Sequence, residues 1–124
     1  MVPLSILVID DENAMCETLN FALAAQGYRV ITASDGREGL RKFLAEDVAL
    51  VITDIVMPEI DGIGVLRKIK EASPQTPVIV MSGWRRLGRT FYLEAACALG
   101  ADDSIAKPFT IQQMKMKIDH CISR

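Results

Sequence analysis

Asp10, Asp11, Asp54, Ser82 and Lys107 each stand at or just beyond the end of an apolar run. The runs are Leu4-Ser5-Ile6-Leu7-Val8-Ile9, Ala49-Leu50-Val51-Ile52-Thr53, Pro77-Val78-Ile79-Val80-Met81 and Ser104-Ile105-Ala106. Short apolar runs bounded by turn residues read as buried strands. A polar residue placed where such a strand leaves the core sits at the rim, and in an open α/β sheet that rim is where ligands bind. Carboxylates gathered there repel: at about 4 Å and an effective dielectric of about 20, each ionised pair costs about 4 kcal/mol. A hard divalent cation offsets that repulsion, and Mg²⁺ favours a few carboxylates with several waters over a full protein cage. Lys107 supplies a second positive charge and Ser82 a hydroxyl donor. The set is short of an anion that all of them can hold, and a phosphoryl group fits. A carboxylate can be the nucleophile in phosphoryl transfer, with catalysis resting on positioning and charge neutralisation. Asp54, which stands alone at the centre, is the nucleophile candidate; Asp10 and Asp11 read as metal ligands.

These residues need a scaffold, and the chain between them supplies helices. Helical spacing of Met15, Leu19, Ala22 and Leu23 predicts a helix over about 12–26, with Gly27 suited to close it. Tyr28 to Ala33 is a second strand. Asp35 with Glu38 forms a capping-box pattern that opens a helix with Leu40, Phe43 and Leu44 inward. Pro58 and Gly62 punctuate the loop after Asp54, and Asp61 is placed to cap a helix running to about Ala72, with Ile63, Leu66 and Ile69 inward. Trp84 to Gly88 is a basic loop. A helix follows over about 89–99, with Tyr92, Ala95, Ala96 and Leu99 inward and Gly100 closing it. Asp102 to Ala106 is the fifth strand. Thr110 with Gln113 repeats the capping-box pattern and opens a last helix with Ile111, Met114, Ile118 and Cys121 or Ile122 inward.

Strict alternation of strand and helix implies a parallel sheet covered on both faces. Right-handed crossovers reduce the topology to a flavodoxin-like, doubly wound (βα)5 fold with a five-stranded parallel sheet in the order 2-1-3-4-5. That order sets the strands ending in Asp10-Asp11 and in Asp54 side by side. The chain of 124 residues is expected to be one domain, 1–124. A net charge of −2 gives no electrostatic case for direct nucleic-acid binding. No apolar run approaches the roughly 18 residues of a membrane span. Met1-Val2-Pro3 leads directly into a strand, so no secretory leader is expected and the expected location is cytoplasmic. Cys16, Cys97 and Cys121 show no metal-ligand spacing and read as reduced thiols on helices.

The motifs Val8-Ile9-Asp10-Asp11-Glu12, Asp54 with Met57-Pro58 and Asp61-Gly62, Met81-Ser82-Gly83, and Lys107-Pro108-Phe109 resemble, in order and spacing, the receiver domain of two-component response regulators. The resemblance runs from Leu4 to about Ile122. It implies a phosphoacceptor at Asp54 and Mg²⁺ held by Asp10, Asp11, Asp54 and the backbone carbonyl of Val56. Ser82 is then the hydroxyl residue that follows the phosphoryl group, and Lys107 the lysine that pairs with it, joined to Pro108 by a cis bond. The implied partner is a histidine kinase or a histidine phosphotransfer protein. The role is signalling, with self-catalysed phosphorylation and dephosphorylation only. Output is implied through the face built from the fourth helix, fifth strand and last helix, which is also a face for a homodimer.

Two positions depart from the family pattern. Ser104 stands where the family usually carries an aromatic ring three residues before the lysine. The loop Trp84-Arg85-Arg86-Leu87-Gly88-Arg89 is a few residues longer than usual, and Val56 and Trp84 are apolar at positions that set the phosphoryl lifetime. Taken singly, each site residue has a plainer reading: Asp10 and Asp11 as helix caps, Asp54 and Ser82 as turn residues, Lys107 as a solvated lysine. Three rival functions use the same fold. An aspartyl-phosphate phosphatase needs a second acid two residues after the nucleophile, where Val56 stands. A nucleotide or flavin binder needs a phosphate loop where Asp10-Asp11-Glu12 stands. The third is a receiver-like adaptor that works without phosphorylation.

Overall fold

A computed structural model describes residues 2–55, 57, 61–83 and 96–123. The strands are β1 (Ser5–Ile9), β2 (Arg29–Ala33), β3 (Leu50–Asp54), β4 (Val78–Gly83) and β5 (Asp103–Lys107). Between and after them lie α1 (Asn13–Ala24), α2 (Gly36–Ala45), α3 (Gly62–Ala72) and the C-terminal helix (Ile111–Ser123). The strands form one parallel sheet in the order β2-β1-β3-β4-β5. This is the flavodoxin-like order expected from the alternation of elements.

β1 and β3 are buried along their whole length, as strands covered on both faces must be. One face of the sheet packs Ile6, Val8, Leu50, Ile52 and Ile79 against Cys16, Leu19 and Leu23 of α1 and Met114, Ile118 and Cys121 of the C-terminal helix. The other packs Leu7, Ile9, Val51, Val78 and Val80 against Val65, Leu66 and Ile69 of α3, with Leu40 and Phe43 of α2 alongside.

The helix starts follow the capping chemistry. Glu38 N–H donates to Asp35 Oδ1 at 2.7 Å, while Glu38 Oε1 accepts from Ser34 N–H. Gly64 N–H donates to Asp61 Oδ1 at 3.0 Å. Thr110 and Gln113 close a reciprocal box, at 2.8 and 3.0 Å. Gly27 and Gly100 take φ of +96° and +100°, the left-handed conformation expected where each helix closes.

Several details differ from expectation. Leu44 is 74% exposed and Leu99 is 36% exposed, so neither faces the core. Cys16 and Val65 are buried in addition to the residues expected, with Met15 only half-buried. Ser82 and Lys107 lie within β4 and β5 rather than after them. The loop 84–88, most of the helix expected over 89–99, and Val56 fall outside the described residues.

Candidate functional site

Strand register assembles the site. Ile9 lies opposite Thr53, so Asp10 and Asp54, one residue further along, meet at the same edge. Asp54 pairs with Met81, Ser82 with Ala106 and Gly83 with Lys107, which brings Ser82 and Lys107 to that edge too. Two glycines let helices seat on it. A Cβ at Gly62 would collide with the Asp54 carbonyl oxygen and the Ile55 Cα, and one at Gly39 would run into the Ile9 side chain. Gly62 N–H also donates to the Ile55 carbonyl at 2.8 Å. At Gly62, where the neighbouring atoms are backbone, only glycine lets α3 start this close to the strand carrying Asp54.

Asp10, Asp11 and Asp54 each bring a carboxylate oxygen into one cluster, these atoms all within 4.8 Å of one another. Asp10 is fully buried and Asp54 is 5% exposed, while Asp11 opens to solvent. Lys107 Nζ lies 2.8 Å from Asp10 Oδ2 and 3.5 Å from Asp54 Oδ1, bridging the two buried acids. The other oxygen of Asp10, Oδ1, accepts from Glu12 N–H at 2.9 Å. Asp10 therefore uses both oxygens within the protein. The helix-cap reading does not account for it, since α1 has Glu12 at its N-cap and no side-chain cap.

Burial pushes the Asp54 carboxyl up to about 6; the charge of Asp10 adds to the shift and Lys107 opposes it. Asp10 is also raised, chiefly by burial, against the pull of Lys107. Lys107 loses some preference for its charge through burial, but the hydrogen bond to Asp10 and the charges of Asp54 and Asp10 more than restore it, so its pKa is raised. Ser82 Oγ is buried and has no hydrogen-bond partner among the described residues. An orphaned buried hydroxyl is uncommon, because it forgoes its bonds with water. The donor set is hard oxygen, negatively charged and partly open, which suits a divalent cation such as Mg²⁺.

Sequence reasoning reached all of these side chains except one. Cys16, on the buried face of α1, has its Sγ 3.4 Å from the Asp10 carbonyl and 3.7 Å from the Ala33 carbonyl, the latter also accepting Asp10 N–H. The helical spacing 16, 19, 23 was the signal that could have placed it inward. Lys107-Pro108 is cis, as the resemblance implied. Ser104 is half-buried on β5.

A doubly wound sheet with an acidic edge, a bridging lysine and a hydroxyl unpartnered among the described residues defines an α/β domain with a polar site at the carboxyl ends of its strands. Comparison with known proteins gives the family. The sequence model of the response regulator receiver domain matches residues 6–119. The alkaline phosphatase synthesis transcriptional regulatory protein PhoP of Bacillus subtilis is 33% identical over 119 residues, covering 96% of this chain and 48% of that protein. Among solved structures, a response regulator receiver domain protein from Clostridium thermocellum superposes with a TM-score of 0.90 at 36% identity, covering 98% of this chain and 95% of that one. A CheY-like receiver domain protein from Methanospirillum hungatei JF-1 gives 0.89 at 28% identity, covering 98% and 94%. The chain belongs to the response regulator receiver domain family. It spans about half the length of the curated relatives it matches.

Proposed function

We propose that this chain is a single phosphorylatable receiver domain whose phosphoacceptor is Asp54. The observation that carries this reading is the buried hydroxyl of Ser82, unpartnered among the described residues, at the sheet edge that Lys107 shares with Asp54. An anion bound on Asp54 would satisfy both. An Asp54 carboxylate oxygen attacks phosphorus, and the bond from phosphorus to a donor imidazole nitrogen breaks. The bonding pair stays on that nitrogen, and with the ring's other nitrogen protonated the donor leaves as neutral histidine. Lys107 and Ser82 hold the transferred group's oxygens. Asp10, Asp11 and Asp54 would hold Mg²⁺, with Val56 contributing a carbonyl. When bound, the cation neutralises the carboxylates and the charge on the phosphoryl oxygens.

The donor partner is a histidine kinase or a histidine phosphotransfer protein, and phosphorylation changes which output surface is presented. The curated relatives are named as transcriptional regulators, so an attached output domain is the natural reader of that change. The fold carries no described helix long and apolar enough to cross a membrane, which suits a cytoplasmic switch.

Intact-mass spectrometry after incubation with Mg²⁺ and a small acyl phosphate tests the reading. A single phosphoryl adduct is expected, lost in Asp54→Asn and without Mg²⁺. An adduct that persists in Asp54→Asn would overturn the assignment. No adduct from the acyl phosphate or from a phosphohistidine protein would leave the adaptor function in its place.

A further inference from the structure

Each polar atom of Asp10 is held by a different partner. Its N–H donates to the Ala33 carbonyl at the end of β2, at 3.1 Å. Oδ1 accepts from Glu12 N–H, and Oδ2 from Lys107 Nζ. The main-chain carbonyl remains, and it accepts from no backbone N–H among the described residues. Asp10 is fully buried, where a carbonyl without a donor is costly. The donor is the Cys16 thiol, whose Sγ lies 3.4 Å from the Asp10 carbonyl oxygen. The same Sγ is 3.7 Å from the Ala33 carbonyl oxygen, the acceptor of the Asp10 N–H. Glu12, the N-cap of α1, makes no side-chain cap bond. Cys16 is therefore the side chain by which the first turn of α1 grips the end of β1.

We propose that Cys16 is a positioning residue: by donating to the Asp10 carbonyl it fixes the turn between β1 and α1, and so sets the aim of the Asp10 carboxylate at the cation. The inference rests on the reading of Asp10 as a metal ligand, and Cys16 acts only through the main chain of Asp10. Mg²⁺ tolerates little departure from octahedral geometry, whereas Ca²⁺ accepts irregular oxygen ligands. A ligand whose backbone drifts therefore costs Mg²⁺ binding more than Ca²⁺ binding. Groups that orient metal ligands contribute about tenfold or more in affinity, and a thiol, as a weak donor, belongs at the low end.

Isothermal titration calorimetry on the unphosphorylated chain compares Mg²⁺ and Ca²⁺ binding in wild type, Cys16→Ala, Cys16→Val and Cys16→Ser. The first substitution removes volume and the second adds it, so a change common to both reports the lost donor; the third keeps a donor. Cys16→Ala and Cys16→Val should each weaken Mg²⁺ binding by about tenfold and Ca²⁺ binding by less than about threefold, with Cys16→Ser close to wild type. Amide hydrogen exchange in EDTA gives a reading without metal. The Asp10 N–H should exchange faster in Cys16→Ala and Cys16→Val, but not in Cys16→Ser, while the core amide of Ile52 reports any global loss of stability. Mg²⁺ affinity unchanged in Cys16→Ala and Cys16→Val would overturn the proposal. So would equal losses for both cations, or a loss in Cys16→Ser as large as in Cys16→Val. A wild type that binds neither cation would remove the metal reading of the site itself. The exchange measurement then judges the Asp10 anchor alone, and equal Asp10 rates in all four proteins would overturn it.

Discussion

Asp54 is held where its charge is unwelcome. Burial and the neighbouring Asp10 raise its carboxyl from 3.8 to about 6, against Lys107. The folded state then binds its proton more tightly than the unfolded chain does, so stability falls as pH rises between about 4 and 6. Metal-free Asp54→Asn should therefore be more stable than wild type at pH 7.5, by about 2 kcal/mol, and the gap should close below about pH 4. Thermal unfolding in EDTA at both pH values checks this; an equal gap at both would remove the electrostatic explanation. The Lys107–Asp10 pair predicts an asymmetry. Lys107→Met strands a fully buried carboxylate, whereas Asp10→Asn leaves Lys107 with Asp54 at 3.5 Å. Lys107→Met should cost about 3 kcal/mol at neutral pH and Asp10→Asn much less. Urea titration of both single variants and the double variant measures the difference, and equal costs would contradict it.

At the scale of elements, the glycines separate stability from site geometry. Gly27 has nothing within 4 Å of a built Cβ but takes φ of +96°, so Gly27→Ala should cost about 1 kcal/mol and leave the site alone. Gly62→Ala forces α3 off the Asp54 carbonyl, so it should cost about 1–3 kcal/mol and also slow phosphoryl acceptance. Comparing denaturation midpoints with adduct formation for the two variants separates these effects. Much of this scale was legible in the sequence, because caps and strand ends are set by local chemistry: Asp35, Asp61 and Thr110 open their helices as their side chains demand. Leu44 was not legible. Its spacing matches a core position, but α2 turns that edge toward an open groove beside α3, and only tertiary packing decides this. The inward turn of Asp10 and outward turn of Asp11 were equally hidden, since adjacent acids look alike until the sheet gives them different surroundings.

At the scale of the whole molecule, the topology concentrates like charge at one edge, so a cation bound there would stabilise the entire fold. The sequence revealed that concentration through strand alternation, since the order 2-1-3-4-5 follows from it and fixes Asp10 beside Asp54. The strength of the coupling depends on burial, which pattern alone does not report. A cation that binds only the folded state stabilises it by about 2.7 kcal/mol when present at about 100 times its dissociation constant. For a domain of 124 residues this should raise the unfolding midpoint by several degrees. Asp54→Asn and bound Mg²⁺ relieve the same repulsion, so their gains should not add. Mg²⁺ should raise the midpoint of wild type at neutral pH clearly more than that of Asp54→Asn. The order should be kept at every Mg²⁺ concentration, because the variant starts with less repulsion to relieve and one fewer ligand. Scanning calorimetry across a Mg²⁺ series for both proteins decides it: parallel, equal gains would mean that the cation binds elsewhere than the Asp10–Asp11–Asp54 cluster.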